Sequence, residues 1–440
     1  MTSPVGKRVG WIVGLHELRS PCPECAGEIS VEDVIFAGVP VLCEGACSRC
    51  RRRFWLHWPT GHALLHPVLI DMSEHRVFYD GLPWYAELVE SVVATREDPA
   101  RPPIVVHERA SGSRAAVVVD CLDPVYGHVV LKLLGALPLL RQAAAAVDVV
   151  PIVPSTLAWL VPEAAGPTIE VDLPLALSRR WIAGLDEAVK GALASYDTVS
   201  IAPSLSQPPL SALDVSLLRR ELASVVVWPR AVTPERLTFV LRDDRRWVGD
   251  ETLLLRALRK LAPRRAVVSY EQRRQDRQVR MLAEAVRRRI PAVEITVLGV
   301  ARPGGMPPWI ADLRTPRPDV DVELRWCEAL GCSHVAVGVH GSHMVLPSLL
   351  AGAVVDLVPW YKLPQLTQDL IVLQDMASEP KLTLLRYRVL PANVGRRPLA
   401  DVVVSALRDP EYQYRTIVAN RDSVGVTHWP RPTGTWRALG

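Results

Sequence analysis

The stretch from Val335 to Pro359 constrains this chain more than any other. Val335-Ala-Val-Gly-Val339 is an uninterrupted apolar run of strand length, which predicts a strand buried on both faces. His340-Gly-Ser342 predicts a tight turn. His343 to Ala351 predicts a short helix stopped by Gly352, and Ala353 to Val358 the next strand. The turn of such a β–turn–α–β unit lies at the carboxyl end of a strand, where open α/β sheets bind ligands. A helix start offers unpaired N–H groups and a partial positive charge, which suit a phosphate. Gly341 would let a ligand approach the backbone. His340, Gly341, Ser342 and His343 are therefore candidate binding residues.

The same alternation runs through much of the chain. Strands are expected at Ala115–Asp120, Val147–Val153, Thr168–Val171 and Thr198–Ala202, with helices from His128, Ser155 and Trp181 between them. A second series starts with a strand at Arg236–Leu241. It continues with a helix reaching Lys260, a strand at Val267–Tyr270, an Arg-rich helix at Gln272–Arg289, a strand at Val293–Leu298 and a helix at Val322–Leu330. Helices are also expected within 207–227 and over 365–376 and 398–407. Alternating β and α at this spacing argues for parallel sheets. The 440 residues suffice for two or three domains. The expected division is 1–105, 106–232 and 233–440, with a linker at Glu97–Pro103 and another at Trp228–Pro234.

The eight cysteines are unevenly placed, with five between Cys22 and Cys50. Cys22-Pro-Glu-Cys25 and Cys47-Ser-Arg-Cys50 are two CxxC knuckles about twenty residues apart, the spacing of a zinc ribbon. Cys22, Cys25, Cys47 and Cys50 are the expected ligands of a structural zinc, with Cys43 a bystander. Four thiolates leave no open coordination position, so no catalysis is assigned to the metal. The following Arg51–His66 segment mixes basic, aromatic and His residues. It is read as the last ribbon strand and a packed segment, in preference to a nucleic-acid surface. The formal net charge of +4 also argues against a nucleic-acid partner. No run reaches the ~18 apolar residues of a membrane span. The N-terminus lacks an apolar signal core, so a cytoplasmic protein is expected.

Three motifs, in order, resemble the signatures of family 61 glycosyltransferases. Tyr126-Gly-His-Val-Val-Leu-Lys-Leu-Leu-Gly-Ala-Leu-Pro138 is similar to the N-terminal one, a Gly-His followed by an apolar helix ending in Leu-Pro. Arg242 to Arg246, followed by Asp250-Glu251 and a Leu-rich helix, is similar to the middle one, with Asp250 in place of Asn. His340-Gly341 matches the C-terminal His-Gly-Ala-Gly-Leu-x-Asn pattern, where Ser342, His343 and Leu346 replace Ala, Gly and Asn. The resemblance covers about 115–360 and leaves out the cysteine pairs. It implies the glycosyltransferase-B arrangement, two tandem Rossmann-like domains with strand ends facing a shared cleft. It implies inverting, metal-independent transfer from a nucleotide-diphosphate sugar to an acceptor of unknown class.

The chemistry can be placed on particular residues. A base must take the acceptor proton, and cations or N–H dipoles must receive the leaving diphosphate. His128, opening a helix near Asp120 and Asp123, is the candidate base, with Asp123 as its carboxylate partner. Arg242 and Arg246 are candidates for the diphosphate, with Arg245 equally near. Ion pairs to Asp243 and Asp244 are the structural alternative. Asp356 is the candidate ribose ligand. Asp319-Val-Asp321 has metal-binding spacing but precedes a helix, and is set aside. The alternatives to a transferase are a nucleotide-sugar epimerase or hydrolase on the same scaffold, and a non-catalytic zinc-ribbon scaffold that binds nucleic acid or protein.

Overall fold

The structure is a computed structural model and describes residues 12–109, 112–143, 147–161, 165–204, 234–247, 253–363 and 387–408. The helix expected within 207–227, the linker at 228–234 apart from its last residue, Asp250-Glu251 and the helix expected over 365–376 lie outside these residues. The chain divides into two compact units, Met1–Arg219 and Arg220–Gly440.

The first unit begins with six strands in an antiparallel sheet that follows chain order. They are β1 (Arg19–Pro21), β2 (Glu28–Phe36), β3 (Val41–Cys47), β4 (Arg53–His57), β5 (Val68–Asp71) and β6 (Val77–Tyr79). In β2, Ile29, Val31, Val34 and Phe36 are all buried, although a strict period of two would put Val31 and Val34 on opposite faces. A bulge between Val31 and Asp33 absorbs the odd residue. The sheet extends past the strand expected to close a ribbon, through β5 and β6. Helix α1 (Pro83–Ala94) packs on Leu42, Trp55, Val68 and Ile70 through Tyr85, Val89, Val92 and Val93.

A second sheet holds β7 (Ile104–His107), β8 (Ala115–Asp120), β9 (Val147–Pro154), β10 (Thr168–Val171) and β11 (Thr198–Ile201), in the order β11-β8-β9-β10-β7. Four strands are parallel, and β7 runs antiparallel at the edge beside β10. Helix α2 (Tyr126–Ala143) follows β8, and α3 (Leu185–Leu193) precedes β11. Ile29, Val34 and Phe36 of the first sheet share one core with Val118, Ile152 and Ile169 of the second. A continuous core therefore spans position 105, where the linker suggested a boundary.

The second unit is a six-stranded parallel sheet. Its elements are β12 (Arg236–Val240), α4 (Leu253–Leu261), α5 (Arg264–Arg287), β13 (Glu294–Leu298), β14 (Ile310–Asp312), α6 (Val320–Gly331), β15 (Val335–Val339), α7 (Val345–Leu350), β16 (Ala353–Val358), β17 (Tyr387–Pro391) and α8 (Arg396–Arg408). The strand order is β14-β13-β12-β15-β16-β17, with every pairing parallel. Counted along the chain this is 3-2-1-4-5-6, the Rossmann order. Strands β15 and β16 are buried along their whole length, as their unbroken apolar runs require. The expected strand at Val267–Tyr270 lies instead in α5. Val267, Glu271, Gln275, Val279, Leu282 and Val286 are buried at helical spacing along it, and this longer period overrides the local β preference of Val267-Val268. Asp319 caps α6 by accepting from the Val322 N–H at 2.9 Å, a structural use for the set-aside Asp-Val-Asp. No helix among the described residues is long and apolar enough to cross a membrane.

Candidate functional site

Each parallel sheet has one point where strand order reverses, between β8 and β11 in the first unit and between β12 and β15 in the second. Ligands of open α/β sheets bind outside the carboxyl ends of the strands at that point. His128 and Asp123 follow β8. Arg242, Arg246 and the His340 turn follow β12 and β15. The structure thus brings the expected residues to two switch points.

In the first unit, a cavity of about 340 Å³ is lined by Asp120, Asp123, His128 and Lys132 from the β8–α2 connection, with Ser204 beyond β11. Asp123 accepts from the Val125 N–H at 2.9 Å, a turn that bends the loop back before α2. Its other contacts are His128 Nδ1 at 3.1 Å and Lys132 Nζ at 3.4 Å. Lys132 also donates to the Leu122 carbonyl at 2.8 Å. Burial alone would raise Asp123, but the Lys132 charge and the His128 hydrogen bond outweigh it and hold the carboxyl at about 2. Burial pushes Asp120 up to about 7, against the opposing pull of Lys132 and the Leu122 N–H. The His128 side chain, held through Nδ1 by Asp123, is 31% exposed and lines the cavity. The sequence reading missed Lys132. The signal was available: a lysine four residues after His128, on an otherwise apolar helix face.

A second set of residues lines the same cavity from the antiparallel sheet and α1: His57, His62, Trp84 and Tyr85. Tyr85 Oη lies 2.6 Å from His57 Nδ1, with both side chains buried. Burial, then the Lys132 charge, takes His57 down to about 3. Burial and the charge of His128 also lower His62, so both imidazoles are neutral at physiological pH. Nothing in the sequence indicated that these residues approach His128.

In the second unit, His340 donates through Nδ1 to Asp356 at 2.6 Å, and Tyr387 Oη donates to the same carboxylate oxygen at 2.7 Å. Asp356 has no exposed surface and pairs with Gly338 inside the sheet, three residues into β16. Its Oδ2 holds His340 and Tyr387, while its Oδ1, the atom left for the ribose role the sequence suggested, is buried without a partner among the described residues. Of the three arginines, Arg245 reaches the turn, donating to the His340 carbonyl at 3.3 Å. Arg242 is held by Asp244 through two 2.7 Å bonds. Arg246 turns away to Glu271 at 3.1 Å.

Gly341 has φ 154°, and a Cβ there would meet Arg245 Nη1 at 1.7 Å. The space this glycine opens is thus occupied by a guanidinium. Neither ring nitrogen of His343 has a partner among the described residues. Burial, then the charges of Arg242 and Arg245, push His343 well below its ordinary value. Burial and Arg245 lower Lys362 as well. Positive potential therefore gathers at the ends of β12, β15 and β16, as an anion site requires. Behind Ser342 comes a single 3-10 turn, Ser342–Met344, and then only the six residues of α7. Side-chain cations, more than a helix dipole, carry the charge here.

Cys22, Cys25, Cys47 and Cys50 converge, with their ligand sulfurs within 4.8 Å of one another. Cys22 and Cys50 are 3.8 Å apart and Cys25 and Cys47 3.5 Å. A tetrahedral zinc with Zn–S of about 2.3 Å spaces its sulfurs about 3.8 Å apart, so the donor set fits that metal. The knuckles are built alike. Ala26 N–H bonds the Cys22 carbonyl and Arg51 N–H the Cys47 carbonyl, each from a residue at positive φ. Cys43 is buried in β3, outside the group, and burial raises its thiol.

No family model matches the chain, and no curated protein matches it. Among solved structures, a protein provisionally described as a UDP-N-acetylglucosamine 2-epimerase from Listeria monocytogenes is 9% identical. The alignment covers 73% of this chain and 99% of that one, with a TM-score of 0.25. A likeness that weak carries no argument, and the resemblance to family 61 glycosyltransferases rests on the three motifs alone.

Proposed function

We propose that this chain is a glycosyltransferase that moves a sugar, with inversion, from a nucleoside-diphosphate donor to an acceptor hydroxyl. The observation that carries the reading is the His128–Asp123–Lys132 cluster in a cavity at one switch point, matched by a cationic turn at the switch point of a Rossmann-ordered sheet. His128 takes the acceptor proton on Nε2. Asp123 holds the ring through Nδ1 and stabilises the imidazolium that forms. Lys132 keeps Asp123 ionised. Arg245 and Arg242 bind the diphosphate and offset its growing charge as the glycosidic bond breaks, and the neutral His343 donates a hydrogen bond to it. Arg242 exchanges its Asp244 partner for phosphate in doing so. Zinc on Cys22, Cys25, Cys47 and Cys50 is structural, since four thiolates fill its coordination sphere.

The test is release of nucleoside diphosphate from a panel of nucleotide sugars, with and without a mixture of hydroxyl acceptors. The reading expects release that needs an acceptor and disappears in His128→Ala. Release without acceptor would point to an epimerase or hydrolase. Absence of both turnover and nucleotide binding would point to a non-catalytic scaffold.

A further inference from the structure

The transfer chemistry assigns no part to the cysteine-bearing sheet, yet this sheet and α1 build one wall of the cavity. His62 lies on the short 3-10 turn Gly61–Leu64. The Gly61 N–H bonds the Pro203 carbonyl just beyond β11 at 2.6 Å, which fixes that turn against the parallel sheet. Trp84 opens α1 and is 47% exposed. The His62 ring meets Trp84 edge-on at 5.0 Å, and its centroid lies 6.3 Å from that of His128. His62 Nε2 is buried, with no partner among the described residues. A buried polar atom left unpaired is unfavourable, and His62 lines the cavity beside the expected base.

Resting on the reading of His128 as that base, we propose that His62 and Trp84 form the acceptor subsite, taking the hydroxyl and the apolar ring face of a pyranose-like acceptor. His62 donates its Nε2 hydrogen to the acceptor oxygen. The hydroxyl's own hydrogen is thereby left to point at His128, which accepts it during transfer. One oxygen making bonds of about 2.8 Å to two nitrogens spaces them about 4.6 Å apart, a span that two rings with centroids 6.3 Å apart can bridge. A neutral His62 donates without competing for the proton. Trp84 is 47% exposed, so the C–H side of a sugar ring can lie against its indole. The cysteine-bearing sheet then belongs to the catalytic unit, and its metal holds up a wall of the acceptor pocket.

Saturation-transfer difference NMR on the full chain without nucleotide, using a set of methyl pyranosides as probe, tests this directly. The wild-type protein should transfer magnetisation to ring protons of at least one pyranoside. Trp84→Ala and His62→Ala should each reduce that transfer at least fivefold. His62→Gln, whose amide can replace the Nε2 donor, should retain about half. Trp84 is half exposed, so its replacement leaves the core intact and keeps the test readable even where His62→Ala destabilises the fold. No transfer to any pyranoside in the wild type, or undiminished transfer in both alanine variants, would overturn the subsite. Turnover that persisted in His128→Ala would overturn the base and leave this ring subsite standing.

Discussion

Lys132→Met probes the electrostatics of the first cavity. The Lys132 ammonium is 7% exposed, 3.4 Å from Asp123 and 2.8 Å from the Leu122 carbonyl. Methionine keeps much of the stem volume and removes the charge. Asp123 retains the His128 ring and the Val125 N–H but loses its nearest full positive charge. Breaking a buried pair from one side costs about 3–5 kcal/mol. The two surviving hydrogen bonds place the expectation at the lower end, about 3 kcal/mol. For a unit the size of Met1–Arg219, each kcal/mol moves the unfolding midpoint by about 2–4 °C, so a fall of about 6–12 °C is expected. Adding Asp123→Asn removes the orphaned charge and should recover about 1–2 kcal/mol of the loss. Calorimetry at pH 7 on the four proteins of this cycle measures the coupling. Strictly additive losses would refute the claim that Lys132 holds Asp123 ionised.

Cys47→Ser should abolish metal binding, read by elemental analysis of the purified protein, and lower the unfolding temperature of the first unit; full metal retention would overturn the four-cysteine site. Gly341→Val should displace Arg245, whose Nη1 lies 1.7 Å from where a Cβ would stand, and abolish nucleotide binding while the far-ultraviolet circular dichroism stays unchanged. Asp120 bears on pH. Its carboxyl holds a proton more tightly folded, at about 7, than unfolded, near 3.8. Its contribution to stability is therefore full below pH 4 and lost as pH rises through 7. Asp120→Asn should flatten that decline, gaining about 2–3 kcal/mol on the wild type between pH 5 and pH 8, and parallel urea midpoints across that range would count against it.

The parallel sheets were legible because buried strands leave unbroken apolar runs. Ala115–Asp120, Thr168–Val171, Val335–Val339 and Ala353–Val358 match the structure residue for residue. The cysteine spacing was equally plain, since a four-thiolate cluster needs two knuckles. The antiparallel edge strand β7 was not read: four residues with alternating exposure beside a proline-rich segment resemble linker. The Val267–Tyr270 error arose from weighing a local β preference over a helical period that emerges only across α5. In the first site, His128 and Asp123 stood five residues apart and could be paired on sight. His62 and Trp84 come from a different sheet, and no sequence period records a contact of that kind. In the second site, proximity along the chain could not separate Arg245 from Arg246. Only the direction in which the loop after β12 turns sends Arg245 to His340 and Arg246 to Glu271.

The most direct test of the account is calorimetric titration of nucleoside diphosphates into the wild-type protein, Arg245→Ala and Arg242→Ala. The account predicts saturable binding to the wild type, weakened by about 1.5–3 kcal/mol in each variant, the size of one hydrogen bond to a charged group. That corresponds to roughly 10- to 150-fold in Kd. Absence of binding, or affinities unchanged in both variants, would contradict a diphosphate site at the His340 turn and with it the transferase reading.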